Sequence, residues 1–219
     1  MNDLKKFNGM LALPQTDKYL KSVLGTKKDS FIANLTALVS SNTNLQACEP
    51  ITLLYAGLKA TALDLPLDPN LGFAYVIPYK NNKKNTTEAQ FQIGFKGFKQ
   101  LAIRTGQFKT INASDVRDGE IASFNRLNGI MKFNWIENEE ERKKKKIVGY
   151  VSYFELNNGF TSMYYMTYGE ILSHANRYSS AFKMDKKYNS NQSQWSDEDG
   201  FQKMAIKTVT KLNLSRNAP

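Results

Sequence analysis

Apolar residues early in the chain fall at helical spacing. Phe31, Ile32, Leu35, Leu38 and Val39 recur at three- and four-residue steps, which gathers them on one face of a helix that Asp29 or Ser30 can cap. Before it, Asp17 to Leu24 predicts a short helix stopped by Gly25, and residues 1–16, broken by Pro14, are expected to be loosely ordered. The pattern fades in SSNTN, residues 40–44. Pro50 then stands in the first turn of a third helix, ITLLYAGLKATALDL, which Pro66 ends, and Asp68-Pro69-Asn70 makes a turn. The first 65 residues are therefore expected to be mostly helical.

Beyond Pro66 the period changes. Phe73 to Tyr79 (FAYVIPY) is rich in β-formers, and Glu88 to Ile93 alternates through Ala89, Phe91 and Ile93. KNNKKN, Lys80 to Asn85, lies between them as a polar, basic hairpin tip. Phe108 to Val116, Ile130 to Ile136, Ile147 to Leu156 and Phe160 to Tyr168 also read as strands, and Asn157-Asn158-Gly159 predicts a hairpin between the last two. Glu170 to Arg177 reads as helix. Residues 185–197, DKKYNSNQSQWSD, hold little that is apolar except Trp195 and read as a loop or flap. A long helix from about Asp197 to Leu214 closes the chain. ENEEERKKKK, Glu137 to Lys146, is the one charge-biased block; its halves nearly cancel, and it reads most simply as a solvated tip between two strands, alternatively as a flexible basic finger over nucleic acid.

Two helices carry basic faces. In GFKGFKQLAIRTGQ, Gly94 to Gln107, a wheel of ~100° per residue puts Phe95, Phe98, Leu101 and Ala102 on one side and Lys96, Lys99 and Arg104 on the other. Lys109 follows the exit glycine. No acid lies among these cations, so the face either meets water or binds an external anion. In the closing helix Lys203, Lys207 and Lys211 recur every fourth residue as one stripe, while Phe201, Met204, Ala205, Thr208, Val209 and Leu212 can pack on a sheet. Asp197, Glu198 and Asp199 complement the helix dipole at its start.

The elements predict an α+β fold: a helical N-terminal region, antiparallel hairpins or sheet, a long C-terminal helix packed on the sheet, and a basic groove between helices. The domains are expected at 1–65 (helical, a candidate oligomer contact), 66–216 (the α+β core) and 217–219 (tail). No internal repeat is visible.

Charge narrows the function. The 219 residues hold 30 Lys plus Arg against 20 Asp plus Glu, net +10, an excess that favours a polyanionic partner such as nucleic acid or an anionic membrane surface. No apolar run can span a bilayer, and Met10 to Leu13 is too brief for a secretory signal. The single Cys48 excludes a disulfide framework and zinc-finger spacing, fits a reducing cytoplasm, and reads as a small buried hydrophobe.

Catalytic groups are sparse. The lone His174 has no local Ser or Cys nucleophile to serve. Gly94-Phe95-Lys96-Gly97 lacks the length and the terminal Ser or Thr of a phosphate-binding loop. Asp115, Asp118 and Glu120 form a carboxylate cluster, but they sit at a strand end and turn, where such residues are expected without a metal.

Several ordered segments resemble the RecT family of phage and prophage single-strand annealing proteins, over roughly residues 30–216. LGFAYVIPYKN (Leu71 to Asn81) is similar to the family's hairpin, FQIGFKGFKQLAIRTGQ (Phe91 to Gln107) to its most recognisable segment, YMTYGEILSHANRYSSAF (Tyr165 to Phe182) to the stretch before its polar flap, and Trp195 with MAIKTVTKLNL (Met204 to Leu214) to its closing helix. The resemblance implies a non-enzyme that coats single-stranded DNA as a homo-oligomer, ring or helical filament, and pairs it with a complementary strand without ATP, in a bacterial cytoplasm and beside a partner exonuclease. It implies no required cofactor, with Mg2+ acting only as a phosphate counterion, and no membrane partner. The DNA contacts it implies are Lys96, Lys99, Arg104, Thr105, Gln107, Lys109, Lys203, Lys207, Lys211 and Arg216. Tyr75 and Trp195 are expected to stack on bases or sugars, or to pack in the core. Family chains usually continue into a region that recruits the host single-strand-binding protein; this sequence stops at Pro219, so either the chain is truncated there or that function is absent, and the contact is not predicted. The alternative function is a basic module that binds or protects single-stranded DNA or RNA without annealing it.

Overall fold

The structure, a computed structural model, describes residues 3–127 and 129–219. It divides into two compact units, residues 1–101 and 102–219.

The first unit opens with α1 (Asp3–Leu11) and α2 (Pro14–Leu24), then a 3-10 turn over Gly25–Lys27. The expected loose start is thus corrected: Phe7 and Leu11, one turn apart on α1, are buried. Pro14 opens α2 instead of breaking the chain, since a first-turn residue has no intrahelical N–H bond to lose. α3 (Lys28–Ser40) buries Phe31, Leu35 and Val39, the expected stripe. The fading SSNTN segment holds a short α4 (Thr43–Gln46), capped by the Asn42 side chain. α5 (Pro50–Ala62) begins on its proline as expected.

β1 (Ala74–Asn81) and β2 (Thr86–Ile93) form an antiparallel hairpin, Ala74 facing Ile93 and Asn81 facing Thr86. It is tied to the start of α5: Glu49 N–H donates to Thr87 O at 2.8 Å, and Ala89 N–H donates to Thr52 Oγ1 at 2.8 Å. Val76, Ala89 and Phe91 then join the helices in one core with Leu20, Leu35 and Leu53. The change from helix to strand falls near residue 65, as expected, but the hairpin belongs to the same compact unit as the helices.

α6 (Phe95–Arg104) follows β2 directly and is the basic helix expected after Gly94. Two glycines, Gly94 just before it and Gly97 within it, are required by close approach. A Cβ on Gly94 would stand 2.3 Å from Gly72 O, and one on Gly97 would stand 2.1 Å from Phe73 O. The GFKGF glycines therefore let the helix start lie against the chain entering β1, a packing role and not that of a phosphate loop.

In the second unit β3 (Phe108–Arg117), β6 (Ile147–Leu156) and β7 (Thr161–Thr167) make an antiparallel sheet with β6 central. β4 (Ile121–Asn125), which the sequence did not suggest, pairs with β5 (Ile130–Phe133) as a separate hairpin. The Glu137–Lys146 block is not a bare tip: it folds as α7 (Glu139–Lys144), capped by the Asn138 side chain. α8 (Tyr168–Tyr178) starts on a capping box in which Thr167 and Glu170 satisfy each other's backbone N–H. α9 (Ser180–Tyr188) then occupies the start of the expected flap.

α10 (Glu198–Asn217) packs on β3, β6 and β7, as the sequence predicts. Phe201, Ala205 and Val209 share a core with Tyr150, Ile171 and Phe182. Near its end, fully buried Asn213 donates to Ser152 O at 3.2 Å and accepts from Ser162 Oγ at 2.8 Å. That amide joins the helix to both β6 and β7.

The rest of the expected flap is organised by one carboxylate. Buried Asp185 accepts from Ser190 Oγ (2.7 Å), Ser196 Oγ (2.5 Å), Gln192 N–H (3.1 Å) and Ser193 N–H (2.7 Å). The hydrogen bond from Ser196 leads the groups that hold it far below the usual carboxylate range, against the opposing effect of burial.

Candidate nucleic-acid interface

In the first unit Lys96 is exposed and Lys99 half-buried on α6. Tyr75 is half-buried on β1; its Cε2 lies 2.9 Å from the position of a Gly94 Cβ and its hydroxyl oxygen 3.2 Å from that of Gly72. Its ring thus covers the bare glycine backbones.

In the second unit Arg104, Thr105 and Gln107 are exposed. Thr105 Oγ1 donates to Ala102 O at 2.7 Å and accepts from Gln107 N–H at 3.1 Å, so this pair closes the end of α6. Lys109 is not the unpaired cation its segment suggested. The β3–β6 register sets Glu155 beside Thr110, and Lys109 Nζ reaches Glu155 Oε1 at 2.8 Å.

Lys203, Lys207 and Lys211 stand exposed along α10. One end of the stripe meets an acid: Asp199 lies 3.4 Å from Lys203, one turn earlier. Both groups are well exposed, so the pair is weak. Arg216 is already placed: its NH1 donates to Tyr164 Oη at 2.7 Å and its guanidinium lies 5.3 Å from that ring's centroid. His174 has a buried Nδ1 with no hydrogen-bond partner. Burial, then the charges of Lys211 and Arg216, push its pKa down, which keeps it neutral and the local positive charge on α10.

Trp195 is in the core. It is 7% exposed and meets Phe201 edge-on at 5.4 Å, which is the packing alternative of the two the sequence left open. The sequence reading missed the exposed Tyr168, which stacks on the other side chain of that cluster, Phe201, at 4.9 Å.

The carboxylates of the β3 turn are also accounted for. Glu120 is fully buried and Asp115 mostly so, and both face Arg142, Glu120 at 2.7 Å and Asp115 at 3.3 Å. Burial alone would raise the Glu120 pKa, but Arg142 and the N–H groups of Arg117 and Ile136 outweigh it and hold the carboxyl below its ordinary value. Asp115 also takes Arg117 Nε at 2.9 Å. Among the described residues no cluster of ligands could hold a metal ion. Nor is any helix among them long and apolar enough to cross a membrane.

These features define an α+β protein whose closing helix buries one side on a sheet and turns a row of lysines outward. The chain belongs to the RecT family, whose sequence model matches residues 29–219. It is 35% identical over 208 residues to the uncharacterized protein YqaK of Bacillus subtilis (strain 168), a match covering 95% of this chain and 66% of that protein. It is 34% identical over 79 residues to Protein RecT of Escherichia coli (strain K12), covering 35% of this chain and 29% of that protein. The chain thus spans just under two thirds of the Bacillus relative and less than a third of the E. coli one.

Proposed function

We propose that this chain is an ATP-independent single-strand annealing protein of homologous recombination. It binds single-stranded DNA, oligomerises on it and promotes its pairing with a complementary strand, making and breaking no covalent bond. The family match over residues 29–219 is the observation that carries the reading. The lysine row of α10 supplies a surface suited to it. Four residues of helix advance ~6 Å, and phosphates of a stacked strand lie ~3.4 Å apart, so Lys207 and Lys211 can reach phosphates one or two nucleotides apart. Ammonium groups on flexible stems tolerate that mismatch. Phosphate contacts leave base edges open, as annealing requires. No nucleotide or bound metal takes part, and Mg2+ acts only by screening phosphates. The helices of the first unit are the proposed subunit contact, a partner exonuclease supplies the single strand, and the setting is the bacterial cytoplasm.

The test is direct. Complementary labelled oligonucleotides are added in sequence to the protein, without ATP and in EDTA, and duplex formation is followed. Acceleration over the protein-free rate is expected, with the nascent duplex held more tightly than either strand. Retarded pairing would make the protein a protective single-strand binder instead.

A further inference from the structure

The second unit contains a cleft of about 670 Å³ that the annealing reading does not use. That volume lies within the ~300–1,000 Å³ typical of small-ligand sites. Its walls differ in chemistry. One is cationic and carries Lys143, Lys145 and Lys146. Another part of the lining, at the start of α10, carries Asp197 and Glu198, and the aromatic side chains of Tyr168, Phe201, Tyr150 and Trp195 complete it. Tyr168 is 40% exposed although it stacks on Phe201.

The cationic wall is held in place. Arg117 NH1 donates to Lys143 O at 3.2 Å and to Lys145 O at 2.9 Å, fixing the end of α7 to the strand β3. Arg142 locks the same helix to Glu120 and Asp115 from its other side. Lys143 is partly engaged by Glu140 at 3.0 Å. Lys145 and Lys146 are exposed, and among the described residues no acidic side chain lies within ion-pair distance of either. Two arginines thus present two lysines from a fixed backbone.

We propose that this cleft binds one nucleotide of single-stranded DNA. The phosphate pairs with Lys145 and Lys146, the base lies on Tyr168, and the carboxylates of Asp197 and Glu198 accept its N–H groups. A lining that combines lysines, carboxylates and aromatic rings suits a ligand that is anionic at one end and flat, with N–H donors, at the other. An acidic peptide would also meet the lysines, but it would be repelled by Asp197 and Glu198, so the nucleotide is favoured. The proposal rests on the reading of the chain as a single-stranded DNA binder. It adds a site where one base leaves the stack, apart from the phosphate row of α10.

The test uses the full chain and an oligonucleotide carrying 5-iododeoxyuridine. Irradiation and peptide mass spectrometry locate the cross-link, and binding isotherms compare wild type with Tyr168→Leu and with Lys145→Ala/Lys146→Ala. Cross-links at Tyr168 or within the first turn of α10 are expected, with affinity reduced about fivefold or more by Tyr168→Leu, as loss of one stacked base predicts. The double lysine variant, which loses one phosphate contact, is expected to lower the salt slope by ~0.7. It touches only exposed side chains, so it decides the matter if Tyr168→Leu fails to fold. Cross-links elsewhere, with wild-type affinity in the lysine variant and annealing intact, would overturn the cleft and leave the annealing reading standing. Absence of any DNA binding by wild-type protein would overturn both. An acidic peptide that binds wild type but not the lysine variant, without competing with oligonucleotide, would make the cleft a protein-docking site and also overturn the proposal.

Discussion

Arg142 Nε donates to Glu120 Oε1 at 2.7 Å, and the carboxylate it meets is closed to solvent. The same guanidinium reaches Asp115 Oδ1 and the Asp115 carbonyl, so one side chain from a charged surface helix bridges two acids beneath it, with Arg117 supplying the second positive charge. Removing one partner of a buried pair leaves an uncompensated charge, at a cost of about 3–5 kcal/mol. Arg142→Ala is expected near the lower end, since the arginine keeps some contact with water. Urea unfolding measures it; a loss below ~1 kcal/mol would mean that the pair is solvated in solution.

The Asp185 hub gives the protein an acid-sensitive element. Its folded pKa lies below the ordinary value of 3.8, so the unfolded chain binds the proton more readily. Its contribution to stability is complete above the unfolded pKa and is lost as pH falls from there toward the folded one. Wild-type melting temperature should therefore fall below pH ~4, whereas Asp185→Asn should start lower and change less over that window. Limited proteolysis at neutral pH should cut residues 189–196 faster in Asp185→Asn; equal rates would show that the segment is held by other contacts.

Lys207→Ala/Lys211→Ala should flatten log K against log salt by ~1.4, about 0.7 for each lost phosphate contact. Circular dichroism and melting should match wild type, because both side chains are exposed. Lys203→Ala should change binding less, its charge being partly answered by Asp199. Unchanged affinity and slope in the Lys207/Lys211 variant would take the DNA off this face.

Trp195 separates packing from stacking. Trp195→Ala removes a buried ring from the cluster with Phe201 and should cost about 3–5 kcal/mol. Any weakening of DNA binding should then track unfolding and vanish for Trp195→Phe. A stable Trp195→Ala protein with selectively poor binding would place the ring on the DNA after all.

Gly97→Ala tests the close approach at the start of α6. The new methyl would stand 2.1 Å from Phe73 O, so helix and backbone must separate. Overpacking of this kind costs ~1–3 kcal/mol, read as a lower melting temperature; a neutral outcome would mean that the contact relaxes freely.

What was legible in the sequence was periodicity. The strand β6 emerged with both its ends because apolar runs and the Asn157-Asn158-Gly159 turn bound it, and α3 emerged because its apolar residues repeat in a polar background. α7 was hidden for the opposite reason: where every residue is charged, a wheel cannot tell that Arg142 turns inward. The flap hid its order in the same way, although serines at 190, 193 and 196 after Asp185 offered a signal. Lys203 with Asp199 was readable at four-residue spacing. Lys109 with Glu155 was not, since that pair exists only through the register of β3 on β6. The lysine row could be found from spacing alone; the cleft could not, because its walls come from segments some 50 residues apart.

The amide of Asn213 has a consequence beyond holding two strands. A cylinder of apolar side chains can roll on a sheet with little change in buried area, whereas an amide with one carbonyl to meet and one hydroxyl to receive fits at a single angle. The aim of the lysines is therefore keyed from the dry side of the helix. A small rotation there would swing the whole charged row, so the grip on a polyanion can be retuned by a residue the ligand never touches.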